Sequence, residues 1–159
     1  GAKILLHKVI KPELFGVAKI NKSKKITSIK EKPKKFISDQ AITGLYFFDN
    51  KVVEYSKKLK PSKRKELEIT DVNKVFIKKK KLNNILLDRG SVWLDAGTFD
   101  SLLQSSMYVQ TIQNRQNILI GSPEEISYLN GWITKNKFKF IINNLPKNNY
   151  RKYLEQLLS

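Results

Sequence analysis

The ten residues Arg89-Gly90-Ser91-Val92-Trp93-Leu94-Asp95-Ala96-Gly97-Thr98 constrain this chain more than any other stretch. Ser91 to Asp95 is strand-like, and Trp93 and Leu94 bring one carboxylate, Asp95, to its end. Ala96-Gly97 then allows a turn, and Thr98 can cap a helix that begins near Phe99. A strand passing into a helix in this way fits an open α/β sheet, whose strand ends are where ligands are held. An aspartate at such a place can bind Mg²⁺ through hard oxygen atoms. It can equally be a turn or cap residue, and spacing alone admits both.

The segments before it read as a sheet. Residues 3–9 form a strand ended by Lys11-Pro12-Glu13, and residues 15–20 and 26–31 form two short runs around the polar stretch Asn21 to Lys25, as in a hairpin. Pro33 closes the second run because proline cannot continue a central ladder. Ala41 to Phe48 is apolar on both faces and is expected as a buried strand. Asp49 or Asn50 can cap a short helix with Val52, Val53 and Leu59. Glu66 opens a second, with Ile69, Val72 and Phe76 on one face. Leu82 to Asp88 is again strand-like. After Thr98 the pattern turns helical, with a stripe through Phe99, Leu102, Leu103, Val109 and Ile112. Ser122-Pro123-Glu124-Glu125 has serine at N-cap, proline at N1 and glutamate at N3, the pattern of a capping box. Thr134 and Asn148 start two further helices. The expected fold class is therefore α/β, with a sheet-rich part over residues 1–98 and a helical C-terminal region over 99–159.

Composition excludes several kinds of chemistry. The chain has 159 residues, enough for a sizeable core, and no cysteine, so disulfides and thiolate metal sites are absent and a reducing cytoplasm is the expected location. A single histidine, His7, lies in an apolar run where it reads as a strand residue. No long apolar span or signal-peptide pattern occurs, so no membrane partner is expected. The net charge of +17 raises the question of nucleic acid. That charge is mostly lysine spread over every segment, with no zinc-finger, aromatic RNA-binding or recognition-helix pattern, so no specific nucleic-acid partner is expected.

Chemistry-bearing side chains fall at three element ends: Glu31-Lys32, Arg64 with Glu66, and Arg89 with Asp95. Each is also compatible with an ordinary surface residue. Their context is more specific. Phe15-Gly16-Val17, Glu31-Lys32-Pro33, Thr43-Gly44-Leu45-Tyr46-Phe47, Glu66-Leu67-Glu68-Ile69-Thr70-Asp71-Val72-Asn73, Arg89 to Thr98, Asn114-Arg115-Gln116 and Pro123-Glu124-Glu125-Ile126 occur in this order. Together they resemble the glucose-1-phosphate thymidylyltransferases over essentially the whole chain.

The resemblance implies a nucleotidyltransferase fold, a Rossmann-like mixed sheet, present here in part and with a helical tail. It implies the joining of dTTP and glucose-1-phosphate into dTDP-glucose and pyrophosphate with Mg²⁺, on the route to dTDP-rhamnose, in a homo-oligomer that is a tetramer in the family. Lys32 then resembles the residue that grips the sugar phosphate, and Arg64 a second cation. Glu31 resembles the carboxylate that takes sugar hydroxyls, aided by backbone at Gly16 and Ile42 and with Tyr46 nearby. Asp95 resembles one of two metal carboxylates, and Arg89, Glu125 and Ile126 match a regulatory nucleotide site.

Departures from the family pattern are also present. Phe15 replaces a frequent Tyr, Lys65 a Gly, and Leu129 an Arg of the regulatory site. The family's glycine-rich triphosphate loop and its other metal carboxylate have no counterpart. The chain is thus expected to be the carboxyl-terminal half, inactive alone, with Ala41–Phe48 short of sheet neighbours. Another sugar-1-phosphate nucleotidyltransferase, or a truncated non-catalytic partner subunit, remains an alternative.

Overall fold

The computed structural model describes residues 1–62 and 65–158, and the chain divides into two units, Gly1–Trp93 and Leu94–Ser159. That division falls a few residues before the boundary expected after residue 98.

In the first unit, five strands form one mixed sheet: β1 (Ala2–Lys8), β2 (Gly16–Ile20), β3 (Ile26–Glu31), β4 (Gln40–Phe48) and β5 (Leu82–Leu86). Their spatial order is β3-β2-β4-β1-β5. β1 runs antiparallel to β4 and parallel to β5, while β2 is antiparallel to both β3 and β4. The hairpin expected across residues 15–31 is the β2–β3 pair, with Gly16 opposite Glu31.

Alternation along the strands places the core on one face. Ile4 and Leu6 of β1, Ala18 of β2, Ile29 of β3 and Ile42 of β4 are buried together. Helices α1 (Lys51–Ser56) and α2 (Ile69–Lys78) lie on that side, where Val72 and Phe76 pack with Ala2 and with the ring of Phe48. Burial of Thr70, Val72, Asn73 and Phe76 sets the inner face of α2. Ile69, expected on that face, is 40% exposed, because it is the first residue of the helix and Glu68 is its cap. The helix thus starts three residues later than the expected opening at Glu66.

Three strand expectations are corrected. β4 is an inner strand, flanked by β1 and β2, so it does not lack neighbours. Its second face is buried only in part: Ala41 is fully buried, while Leu45 is 50% and Phe47 56% exposed. Ser91 to Asp95 forms no strand. The β1–β5 ladder ends where Leu86 pairs with Leu6 and the Leu87 amide donates to the Leu6 carbonyl. A turn in which the Ser91 amide donates to the Asp88 carbonyl then leads the chain away from the sheet without a ladder partner.

The second unit is helical: α3 (Phe99–Gln116), α4 (Pro123–Leu129), α5 (Lys135–Asn144) and α6 (Asn149–Gln156). Thr98 caps α3 as expected, and its box partner is Ser101, each side chain bonding the other's backbone amide. Thr134 and Asn148 cap α5 and α6 through the amides of Lys137 and Arg151. The capping box expected at Ser122 does not form. The Ser122 hydroxyl lies 3.0 Å from the Tyr150 hydroxyl instead, and Glu124 and Glu125 accept from Tyr150 and Tyr153. Phe138, Ile142 and Leu154 form the small core here, with the Tyr128 ring stacked on Phe138 at 4.4 Å. None of the α3 stripe is fully buried. No helix among the described residues is long and apolar enough to cross a membrane.

Candidate functional site

The end of β3 is where the sheet brings chemistry together. Gly16 and Glu31 are cross-strand neighbours, and the Glu31 side chain lies over the glycine. A Cβ built on Gly16 would come within 2.8 Å of Glu31 Oε2. The same oxygen accepts a 2.6 Å hydrogen bond from the Thr70 hydroxyl in the first turn of α2. Thr70 itself is 2% exposed.

Lys32 follows at once with φ +37°, an unusual backbone for a residue with a Cβ. Its amide donates to the Phe15 carbonyl at 3.0 Å, which ties the turn to the start of β2. The lysine side chain is exposed, next to a half-buried carboxylate. Non-glycine residues at positive φ are strained and cluster at sites where one orientation matters.

Tyr46 and Ile42 belong to the same region of β4. Both pack in the core beneath the sheet, and the Tyr46 ring stacks on Phe48. Burial pushes the Tyr46 hydroxyl above its ordinary pKa, and the negative charge of Glu31 raises it further. Gly16, Glu31, Lys32, Ile42 and Tyr46 are therefore all positioned by three neighbouring strands.

Glu31 and Lys32 open onto a cavity of about 410 Å³ that also has Lys30, Thr70, Asp71 and Lys74 in its wall. Lys74 Nζ bonds Asp71 Oδ1 at 2.7 Å. Ser62 and Glu68 close another side, joined by a 2.9 Å hydrogen bond from the serine hydroxyl. Thr70, Asp71 and Lys74 were not singled out from the sequence as site residues. The signal for Thr70 and Asp71 was their place in the Glu-Ile-Thr-Asp-Val-Asn run at a helix start, and Lys74 follows that run one turn on.

Arg64 lies outside the described residues. Its neighbour Lys65, which stands where the family pattern has glycine, has φ +61°, the conformation glycine favours.

Asp95 belongs to the second unit, exposed in the segment before α3, with Oδ2 3.3 Å from where a Gly97 Cβ would be. Glycine at 97 leaves that carboxylate room beside the turn. Among the described residues no group of three His, Cys, Asp or Glu side chains gathers to hold a metal. Mg²⁺ keeps several of its waters and is usually held by one or two carboxylates together with substrate phosphates, and Asp95 offers one such hard oxygen donor.

The residues matched to a regulatory site are divided between the units. Arg89 is exposed and lines a cavity of about 560 Å³ together with His7, Gln40 and Asp88. Trp93, the last residue of that unit, meets His7 and Phe15 edge-on at 6.0 and 5.0 Å. Glu125 and Ile126 lie on α4 in the second unit, where the Glu125 carboxylate accepts from Tyr153 at 2.8 Å.

Comparison with known proteins gives a consistent picture. A family model described as "Nucleotidyl transferase" matches residues 1–112. Glucose-1-phosphate thymidylyltransferase of Neisseria meningitidis is 45% identical over 158 residues, covering 99% of this chain and 55% of the relative. The enzyme of that name from Mycolicibacterium smegmatis is 42% identical with the same coverage. A Bacillus anthracis structure described as a glucose-1-phosphate thymidylyltransferase in complex with sucrose has a TM-score of 0.60 at 47% identity, over 68% of this chain and 43% of that one. A UDP-glucose pyrophosphorylase complexed with UDP-glucose also reaches 0.60, over 69% of this chain and 44% of that one, at 22% identity, a likeness of fold alone. The chain spans about half the length of the curated relatives it matches. That extent does not establish the carboxyl-terminal placement expected from the motifs.

Proposed function

The chain belongs to the nucleotidyl transferase family, and from that membership we propose that the protein containing it is a glucose-1-phosphate thymidylyltransferase. The reaction joins dTTP and glucose-1-phosphate into dTDP-glucose and pyrophosphate. The observation that carries this reading is the juxtaposition of Glu31 and Lys32 at one cavity mouth, beside Gly16. A sugar phosphate offers hydroxyl donors at one end and an anion at the other. A carboxylate is an acceptor for the first, and an ammonium is a compact charge for the second. Relatives at 42% and 45% identity that bear the enzyme's name support the substrate pair.

In this reading Lys32 and Arg64 neutralise the phosphate. Glu31, with backbone at Gly16 and Ile42 and with Tyr46 behind it, selects the sugar. Two anions must approach each other, so positioning and charge neutralisation are what the chain contributes to phosphoryl transfer. Asp95 would help to hold Mg²⁺ on the nucleotide phosphates as one of two carboxylates, and the ion would neutralise charge there. The 159-residue chain by itself is proposed to be inactive in turnover. The complete protein is proposed to act as a cytoplasmic homotetramer. Feedback by dTDP-rhamnose at a regulatory nucleotide site is proposed to be weak. Leu129 offers no hydrogen bond there, and Tyr153 already takes the Glu125 carboxylate.

The test is an NMR titration of the isotope-labelled chain with glucose-1-phosphate, dTTP and inorganic phosphate. Saturable shifts at Gly16, Glu31 and Lys32 are expected with the sugar phosphate. Shifts at these residues with dTTP alone would overturn the assignment. A parallel assay of pyrophosphate release should find none from the chain alone.

A further inference from the structure

We propose that Thr70 is the positioning residue for the sugar-binding carboxylate, fixing Glu31 together with the bare Cα of Gly16. The inference rests on the reading of Glu31 given under Proposed function and deepens it.

Three constraints act on one carboxylate. Thr70 Oγ1 donates to Oε2 at 2.6 Å, and because Thr70 is buried, its hydroxyl has little water to exchange for that bond. Gly16 lies directly below, where any Cβ would be 2.8 Å from the same oxygen and 3.6 Å from the Thr70 hydroxyl. An added methyl would therefore displace the carboxylate and break the bond to Thr70. Finally, Thr70 is the second residue of α2, so the negative charge sits by a helix N-terminus, the end that favours anions.

The consequence is chemical. An ionised carboxylate accepts hydrogen bonds and donates none. With Oε2 engaged by Thr70 and Glu31 lining the cavity, Oε1 is left to accept from a ligand hydroxyl in a fixed direction. Thr70 thus contributes to discrimination between a sugar phosphate and a bare phosphate, without touching either. Lys32, on the next residue, serves both ligands alike.

The experiment measures dissociation constants of the full chain for glucose-1-phosphate and for inorganic phosphate. The variants are Thr70→Val, Thr70→Ser, Gly16→Ala and Glu31→Gln, each checked for folding by thermal melting. Thr70→Val keeps the shape and removes the hydroxyl, and should weaken glucose-1-phosphate about threefold to tenfold. Gly16→Ala should do the same. Thr70→Ser, which restores the hydroxyl, should bind within about twofold of the unaltered chain, a difference too small to represent a lost hydrogen bond. Inorganic phosphate should be unaffected by Thr70→Val and Thr70→Ser, and bound no more weakly by Glu31→Gln, which removes a negative charge beside Lys32.

If Glu31→Gln weakens glucose-1-phosphate while Thr70→Val and Gly16→Ala do not, positioning by Thr70 is wrong and the role of Glu31 stands. If Glu31→Gln changes nothing, or the unaltered chain does not bind the sugar phosphate, the reading of Glu31 fails and this inference with it. An equal loss for inorganic phosphate, or no rescue by serine, would make Thr70 merely structural and overturn the proposal. Should Thr70→Val fail to fold, Gly16→Ala against Thr70→Ser decides.

Discussion

Replacing Lys32 by alanine removes one ammonium from the cavity mouth and leaves the backbone as it is. A charge-assisted hydrogen bond is worth about 1.5–3 kcal/mol, roughly tenfold to a hundredfold in affinity. Lys32 is exposed, so water and salt screen its charge, and the lower end, about tenfold, is expected. The backbone supplies an internal control. At φ +37° a side chain costs energy that glycine does not incur. Lys32→Gly should therefore lose the same affinity as Lys32→Ala while melting at an equal or higher temperature. Lys32→Arg should keep much of the affinity, because the charge is retained. Titration with glucose-1-phosphate at low and moderate ionic strength, next to thermal melting of the same samples, measures both quantities. Unchanged affinity in the alanine variant would refute the assignment of Lys32 to the phosphate. A lower melting temperature for the glycine variant would refute the argument from backbone strain.

Other consequences are as direct. Lys65→Gly should raise stability by up to about 1 kcal/mol in a denaturant titration, since the residue sits at φ +61°; a loss of stability would refute it. Burial first, and the bonds to Glu124 and Glu125 after it, hold the Tyr150 and Tyr153 hydroxyls above the usual tyrosine range, although Ser122 and the Leu119 backbone act the other way. A raised folded value favours the neutral folded form. That contribution is complete below the unfolded value near about 10 and is lost as pH rises through the folded value. Alkaline melting should therefore steepen above about pH 10 in the unaltered chain and be flatter in Tyr150→Phe and Tyr153→Phe; identical profiles would refute it. In the complete enzyme, Asp95→Asn should abolish turnover and leave the fold intact, since the side chain is exposed; substantial activity with ordinary Mg²⁺ dependence would show that Asp95 is not a ligand.

Local chemistry was legible in the sequence wherever neighbours along the chain decide it. Thr98, Thr134 and Asn148 cap helices as their residue types imply, and the hairpin across 15–31 follows from polar turn residues between two apolar runs. What the sequence misjudged depends on distant partners. Ser122 has every local feature of a capping residue, yet a tyrosine 28 residues away takes its hydroxyl. Val92, Trp93 and Leu94 look like a strand, but a strand needs a ladder, and β5 has already left β1 at Leu86. The site was divided in the same way. Glu31 and Lys32 stood out as charges at an element end, while Thr70 became visible only when α2 was laid against β3.

The last prediction concerns solubility, and its cause lies in the sheet. β4 has partners on both sides, so its apolar run is not an open edge. The open edges are β3 and β5. The hazard is the second face of the sheet within this unit. Alternation puts Leu45 and Phe47 on one side of β4, and Lys3 on β1 pairs opposite Phe47. On the same side Leu5 pairs with Ile85 of β5, which is 44% exposed. Leu45 and Phe47 are each at least half exposed, so a contiguous apolar area spans three strands. The surplus of positive charge, +17, opposes association by repulsion, and salt screens that repulsion within about 8 Å at physiological strength. The chain should therefore stay monomeric in dilute buffer, bind a hydrophobic dye, and associate as salt is raised. Leu45→Thr with Phe47→Thr keeps strand propensity and removes most of the exposed apolar surface of β4. Light scattering across a salt series should show association in the unaltered chain and little in the double variant, with less dye bound. If the double variant associates at the same salt concentration, the face is not the cause. The exposed edges of β3 and β5 would then be the place where copies pair.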